Sequence, residues 1–251
     1  MTLNALIFDV DGTLAESEVA HREAFNRAFG EFGLSTKWDE EIYIEKHLKV
    51  AGGFERLVVA SESDSELQKI DLLALHRRKN EIYVEIVRGG SLHLKRGVAR
   101  LIREAKRKSV KIGVATTTSY DNVAALIEAN FGQDIADIVD FVGAGDVVEL
   151  KKPSPLVYEY VLDGLGVDAS SVVAIEDSDN GIIAATSAAL TTLVVHSRFS
   201  PIVKEHKVAA YIRDLGEDGD RDLLIKGPPL NSIVDLAYIT EVHRSGNYFQ
   251  I

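Results

Sequence analysis

Asp9 and Asp11 stand two residues apart at the end of an apolar run, Leu3 to Phe8, and a glycine and a threonine follow at once. Side chains two apart on a strand share a face, so an extended run ending here presents both carboxylates to one crevice. Gly12 permits the sharp turn that such a presentation needs. A paired carboxylate site suits a hard cation and an oxygen nucleophile working beside a proton carrier. Three further polar signals come later in the chain: Thr116-Thr117-Thr118, Lys152-Pro153 and Glu176-Asp177.

The elements that must position these residues are legible from periodicity. Residues 3–9 read as a buried strand. From Glu18 the spacing turns helical, with Ala20, Ala24, Phe25, Ala28, Phe29 and Phe32 on one packing stripe and Gly33 as a stop. Residues 39–87 stay mostly helical and charged, broken at Gly52-Gly53 and at 61–65, and Gly89-Gly90 marks a return. Strands are then predicted at 110–115, 138–143, 172–175 and 191–195, alternating with helices at 96–108, 121–131, 154–165 and 181–189. This alternation predicts an α/β fold with a Rossmann-like parallel sheet covered on both faces. The first strand belongs to that sheet. Residues 1–15 and 91–251 therefore read as the core domain and 16–90 as an inserted small helical cap domain. Lys226–Pro229 reads as a surface loop, and the tail after Ser232 as one helix with a short end.

Each polar signal follows a predicted strand, where parallel sheets bind ligands at their carboxyl edge. The chemistry that fits is phosphoryl transfer, which needs a cation, positioned donors and an in-line nucleophile. Asp9 would be the nucleophile and Asp11 the acid and base. Thr116 would bind phosphate oxygens and Lys152 would neutralise charge. Asp9, Asp11 through its carbonyl, Glu176 and Asp177 would hold Mg2+.

Composition bounds the rest. The 251 residues carry a net charge of −11 and no cysteine. That excludes thiol catalysis and disulfides and argues against nucleic acid and anionic membranes as partners. Neither a basic-then-apolar leader nor a spanning segment is evident, so a cytoplasmic monomer is expected, or a plastid protein if a transit peptide has been removed.

The four motifs, in this order, resemble those of the haloacid dehalogenase (HAD) superfamily, and the resemblance covers essentially the whole chain. Asp9-Val10-Asp11-Gly12-Thr13 matches its first motif and Val114-Ala115-Thr116 its second. Lys152-Pro153-Ser154-Pro155 matches the third, and Glu176-Asp177-Ser178 through Gly181 the fourth. Within the superfamily the chain is most similar to CbbY-like and β-phosphoglucomutase-like enzymes. Glu16-Ser17-Glu18 with His21, the loop Gly52-Gly53-Phe54-Glu55-Arg56, and Lys79-Asn80 with Tyr83 resemble cap segments of that group. The resemblance implies a Mg2+-dependent phosphatase acting on small sugar phosphates, xylulose 1,5-bisphosphate among them, through an aspartyl phosphate. It implies substrate contacts from Thr13, Glu16, His21, Gly52, Gly53, Arg56, Lys79, Thr117 and Thr118. A phosphomutase using the same intermediate is the alternative, although Thr13 resembles the phosphatases more. A catalytically silent binding protein of the same fold ranks lower.

Two residues depart from the pattern. Phe54 stands where the resemblance expects a lysine, and Leu156 where an acidic residue is usual. Other features have plainer readings. Gly143-Ala144-Gly145 lacks the third glycine of a dinucleotide loop. Asp177 and Asp179 do not complete a calcium loop. Lys46 and Lys49 carry no signal for a Schiff base. His76, His93, His196, His206 and His243 lack metal-ligand spacing and read as surface or loop residues. Hinges are expected near residues 15–16 and 88–90.

Overall fold

A computed structural model describes residues 2–251. The central strand is β1 (Ala5–Phe8), fully buried and apolar on both faces as a sheet covered by helices requires. It pairs in parallel with β2 (Lys111–Ala115) on one side and β4 (Val172–Glu176) on the other. β3 (Phe141–Gly143) extends the sheet beyond β2, and β5 (Thr191–Val195) beyond β4. β7 (Ala210–Ile212) continues in parallel, and β8 (Leu224–Lys226) closes the edge antiparallel, giving the order β3-β2-β1-β4-β5-β7-β8. A separate antiparallel pair joins β6 (Lys207–Val208) to β9 (Phe249–Gln250).

Helices α5 (Val98–Arg107), α6 (Tyr120–Phe131), α7 (Ile135–Ile138), α8 (Leu156–Leu165), α9 (Asp179–Ser187) and α10 (Leu236–Ser245) accompany the sheet. Between β1 and β2 the chain leaves the sheet to build the helical cap. This contains α1 (Glu18–Glu31), α2 (Glu40–Ile42) running into a π-helical turn at Tyr43–His47, α3 (Gly53–Ser61) and α4 (Leu72–Arg88). The predicted stripe of α1 is buried against α4, with Phe32 partly so. Trp38 fills the cap interior, its ring 4.7 Å from Phe25, 5.0 Å from Phe29 and 3.9 Å from His47.

Two expectations need correction, and one strand pair had no signal. The strand predicted at 138–143 begins only at Phe141, because Ile138 ends α7, capped by the Asp134 side chain. Lys226 is the last residue of β8 rather than part of a loop. β6 and β9 have two residues each, too few to show alternation in sequence.

Glycines in β2 and β3 let α8 approach the sheet. A Cβ at Gly113 would lie 2.8 Å from Val161 Cγ1, and one at Gly143 2.7 Å from Val161 Cγ2. Gly113→Ala should cost about 1–3 kcal/mol by overpacking. Urea unfolding should show a lower midpoint with an unchanged slope; an unaltered midpoint would refute this account of the packing.

Candidate active site

β1, β2 and β4 end level with one another, Phe8 lying opposite both Val114 and Ile175. Asp9, Thr116 and the Glu176-Asp177 pair therefore emerge side by side. The Asp9 N–H still bonds to the Ile175 carbonyl at 3.0 Å, which holds the nucleophile candidate to the sheet. After Val10 the chain folds into a tight turn in which the Thr13, Leu14 and Ala15 N–H groups share the Val10 carbonyl. Gly12 has φ +88, and a Cβ there would lie 2.0 Å from Asp177 Oδ2. Glycine is required at this position twice over, by conformation and by the approach of the acidic loop.

Lys152 reaches in from the segment before α8. Its Nζ lies 2.7 Å from Asp9 Oδ1 and 2.5 Å from Glu176 Oε1. The Tyr158 hydroxyl donates to the same Glu176 oxygen at 2.5 Å, and the Asp177 N–H to the other at 3.2 Å. One oxygen from each of Asp9, Glu176 and Asp177 lies within 4.8 Å of the others, and all three residues are buried. Asp177 Oδ2 is buried with no hydrogen-bond partner. An acceptor-only cluster with an unsatisfied carboxylate oxygen fits a hard divalent cation such as Mg2+.

Asp11 has a different environment, supplied by the cap. The Ser17 hydroxyl donates to Asp11 Oδ1, and His21 Nε2 lies 3.0 Å from the same oxygen. Lys79 Nζ stands 2.8 Å from His21 Nδ1, and Tyr83 stacks on the imidazole at 4.1 Å. Lys79 is thus buried behind His21 and reaches Asp11 through it.

A cavity of about 620 Å³ runs between core and cap. Asp9, Asp11, Thr117, Lys152 and Asp177 line it from the core, and Gly52 and Arg56 from the cap. Several expected contacts lie behind this wall. The Thr116 hydroxyl accepts the Thr118 N–H at 3.2 Å, and the Thr118 hydroxyl accepts from Asn122 at 3.0 Å. Thr13 Oγ1 is buried without a partner. Gly53 begins α3 beside His76, where a Cβ would lie 2.9 Å from the ring. Glu16 sits at the linkers, 3.1 Å from Lys95 and accepting from Ser197 at 3.0 Å. Lys95 also donates to the Gly12 and His196 carbonyls, each at 2.7 Å. A second cavity, of about 560 Å³, lies along α10 and carries none of the motif residues.

Sequence reasoning quoted Glu18 and Glu55 within the cap segments but assigned them no role. Glu18 lines the cavity and accepts from Tyr43 at 2.9 Å and from Arg56 at 3.4 Å. Glu55, in the first turn of α3, pairs with Lys151 at 2.7 Å and so joins the cap loop to the core segment carrying Lys152. The spacing Glu18–Arg56 and the doubled Lys151-Lys152 were visible, but pairings between distant segments leave no local signal. His206 lies in a loop, as expected, but is buried, whereas His243 is buried within α10, which corrects the surface-or-loop reading there. His206 Nε2 lies 2.6 Å from Asp179, and His243 Nδ1 lies 3.0 Å from the Thr191 hydroxyl.

The two aspartates are electrostatically distinct. Burial pushes Asp9 up to about 8 against the pull of Lys152. Burial raises Asp177 too, reinforced by Asp9 and Glu176. Burial would also raise Asp11, but His21, Ser17 and Arg56 outweigh it and hold Asp11 below the usual carboxylate range. Burial and Lys79 lower His21, and burial and Arg56 bring Lys79 down to about 7. A neutral His21 accepting at Nδ1 from Lys79 carries its proton on Nε2, aimed at Asp11.

The haloacid dehalogenase-like hydrolase family model matches residues 3–189, and the chain belongs to that family. Within it the chain is CbbY-like. It is 42% identical over 201 residues to Protein CbbY of Rhodobacter capsulatus, covering 80% of this chain and 88% of that protein. A crystal structure of CbbY from Rhodobacter sphaeroides with phosphate superposes with a TM-score of 0.78 at 36% identity, covering 94% of this chain and 99% of that one. A mutant CbbY from the same organism, in complex with xylulose-(1,5)bisphosphate, gives 0.75 at 41% identity, covering 79% and 88%. Among the described residues no helix is long and apolar enough to cross a membrane.

Asp9 has its folded pKa, about 8, above its ordinary value of 3.8. Such a group stabilises the fold below pH 4 and loses that contribution as pH rises toward 8. In metal-free protein, Asp9→Asn should therefore raise Tm over the parent more at pH 8 than at pH 5. Added Mg2+ should raise the parent's Tm, with a gain that grows with pH, because carboxylate ligands must be ionised. Thermal scans at both pH values, with EDTA and with Mg2+, check this; pH-independent differences would refute it.

Proposed function

We propose that this chain, a HAD-type phosphatase, hydrolyses small sugar phosphates through an aspartyl phosphate on Asp9. The observation that carries this reading is the division of labour between two neighbouring carboxylates. Asp9 is paired with Lys152 in the core, and Asp11 is held by Ser17 and His21 of the cap. Carboxylates placed side by side in unlike environments take different protonation roles.

Burial raises Asp9 in the metal-free protein, and a divalent cation beside it would favour the carboxylate. One oxygen of that carboxylate attacks phosphorus in line with the sugar oxygen, and the P–O bond to the sugar breaks. Lys152 stays beside Asp9 and balances charge on the phosphoryl group. Asp11 gives its proton to the departing sugar oxygen, then takes one from the water that cleaves the acyl phosphate. A phosphate dianion in the cavity raises the Asp11 pKa by like-charge repulsion, so the substrate itself favours the protonated acid. Lys79 and His21 keep Asp11 oriented through these changes. Mg2+, held by Asp9, Asp177 and the Asp11 carbonyl, with Glu176 holding Lys152 beside them, would supply positive charge where the phosphoryl oxygens gather. Thr117 and backbone amides after Thr116 would receive the remaining phosphate oxygens.

We take residues 1–15 and 91–251 as the core and 16–90 as a cap that opens for substrate and closes for chemistry. All of the groups invoked come from one chain, so a monomer in an aqueous compartment suffices. The complete set of catalytic groups disfavours a silent binding protein. The Glu55–Lys151 contact favours one second reading. A tightly closed cap excludes water, and a phosphomutase would then return the phosphoryl group to a sugar.

With Mg2+ and sugar phosphates, the parent should release inorganic phosphate, Asp9→Asn should release none, and Asp11→Asn should fall by about 10²–10⁴-fold. Full activity in Asp9→Asn would overturn the nucleophile assignment. Conversion of β-glucose 1-phosphate to the 6-phosphate without phosphate release would decide for the mutase. Glu55→Gln should raise KM about 2–5-fold with a smaller change in kcat, as expected for a partly exposed pair worth about 0.5–1 kcal/mol. Steady-state kinetics showing an unchanged KM would exclude Glu55 from cap closure.

A further inference from the structure

One core loop supplies a whole wall of the cavity, through Phe199, Ser200, Pro201, Val203 and Lys204. It joins β5 to β6 and lies beyond residue 189, where the family match ends. No strand or helix includes these residues, so other contacts must hold their shape. The start of the loop is tied to the cap linkers. The His196 carbonyl accepts from Lys95 Nζ at 2.7 Å. The Ser197 hydroxyl accepts the Phe199 N–H at 3.2 Å and donates to Glu16 at 3.0 Å. Further on, Ile202 is absent from the wall and packs on the cluster of Ile182, Val194 and Val208.

From residue 200 to 205 the backbone is hydrogen-bonded by a single side chain. Asp179, the first residue of α9, accepts the Val203 N–H on Oδ2 and the Lys204 N–H on Oδ1, each at 3.3 Å. Among the described residues no other group hydrogen-bonds that stretch of backbone. His206 Nε2 then meets Asp179 Oδ1 at 2.6 Å. A carboxylate only accepts, so Nε2 carries the hydrogen. His206 is buried at the entry to β6, where its own N–H and carbonyl pair with Ile251 at 3.1 and 2.9 Å. Asp179 stands two residues after Asp177 and borders the cavity, yet it is outside the oxygen cluster of Asp9, Glu176 and Asp177. Both of its oxygens are taken by the loop, which makes it a brace and not a ligand.

We propose that Asp179 and His206 are positioning residues: they hold the 199–204 wall in the shape that encloses the sugar, and so set substrate affinity without entering the phosphoryl chemistry. The proposal rests on the phosphatase reading and deepens it. A wall that is correctly shaped only part of the time weakens apparent binding by that fraction. The rate from the bound complex stays with Asp9, Asp11 and Lys152. The pair acts as a unit, because His206 orients the carboxylate and the carboxylate holds the loop.

Amide hydrogen exchange reads the brace with no substrate present. Asp179→Ala and His206→Ala should each speed exchange at Val203 and Lys204 by about tenfold and leave the core strands protected. His206→Gln, which keeps a side-chain N–H, should retain most of the protection. Steady-state kinetics with Mg2+, on the sugar phosphate that the parent cleaves best, read the role. KM should rise about 5–20-fold in Asp179→Ala and in His206→Ala, with kcat within about twofold of the parent. The double variant should do no more than Asp179→Ala alone. The Mg2+ concentration for half-maximal activity should not move. Unchanged exchange overturns the brace. Faster exchange with an unmoved KM, or with a fall in kcat alone, overturns the positioning role. A shift of about tenfold in the Mg2+ requirement would place Asp179 in the metal site and also overturn the proposal. His206→Ala keeps Asp179 in place and decides the case if Asp179→Ala does not fold. No phosphate release by the parent would sink the phosphatase reading and the assigned role with it, while the exchange data would still decide the brace.

Discussion

One buried ammonium group organises this molecule. Lys152 is enclosed between Asp9 and Glu176, and the Tyr158 hydroxyl completes the coordination of Glu176. Removing the Lys152 ammonium from this set would cost about 3–5 kcal/mol, because the two carboxylates would be left as buried, uncompensated charges. The surrounding fold is arranged to avoid that cost. β1 and β4 are neighbours in register, so Asp9 and Glu176 arrive at the same height. Gly181 has no side chain because a Cβ there would lie 1.9 Å from Glu176 Oε2. α8 brings Tyr158 under the same carboxylate and can do so because the adjacent strands carry glycines. The tight packing of the sheet edge and the electrostatics of the site are one constraint.

The cap contributes more than a cover. Burial beneath the cap would by itself make Asp11 resist ionising, as burial does for Asp9. Ser17, His21 and Arg56 pull it the other way, so two like residues two positions apart acquire opposite tendencies. The cap thereby sets the ionisation of Asp11 at the edge of the core sheet. Glu18 serves the same end indirectly by holding Arg56 near Asp11.

The legible part of this architecture was the part governed by local rules. Strand alternation followed by glycine placed Asp9 and Asp11 at a sheet edge. Repetition of strand and helix placed Thr116, Lys152 and Asp177 at the same edge, and helical spacing gave the α1 stripe. Resemblance to known motifs drew attention to His21 and Lys79, although Lys79 stands behind the imidazole rather than on the cavity wall. What stayed hidden depends on contacts between distant segments. Nothing near Tyr158 announces that its hydroxyl meets Glu176, and nothing near Glu55 points to Lys151. Asp179 looked like a stray acid near a metal motif until the fold brought His206 to it. β6 and β9 pair at the far end of the chain, where His206 and Ile251 also exchange backbone hydrogen bonds.

The ammonium of Lys95 has a mechanical consequence. It joins the second linker to Glu16 of the first and to the carbonyl of Gly12, in the turn that carries Asp11. Both straps of the cap are thus riveted to one point a few residues from Asp9. Under the proposed mechanism, a swing of the cap would pivot at this point, and its torque would be felt first at Asp11. Opening the door and resetting the latch would then be, for this chain, a single movement.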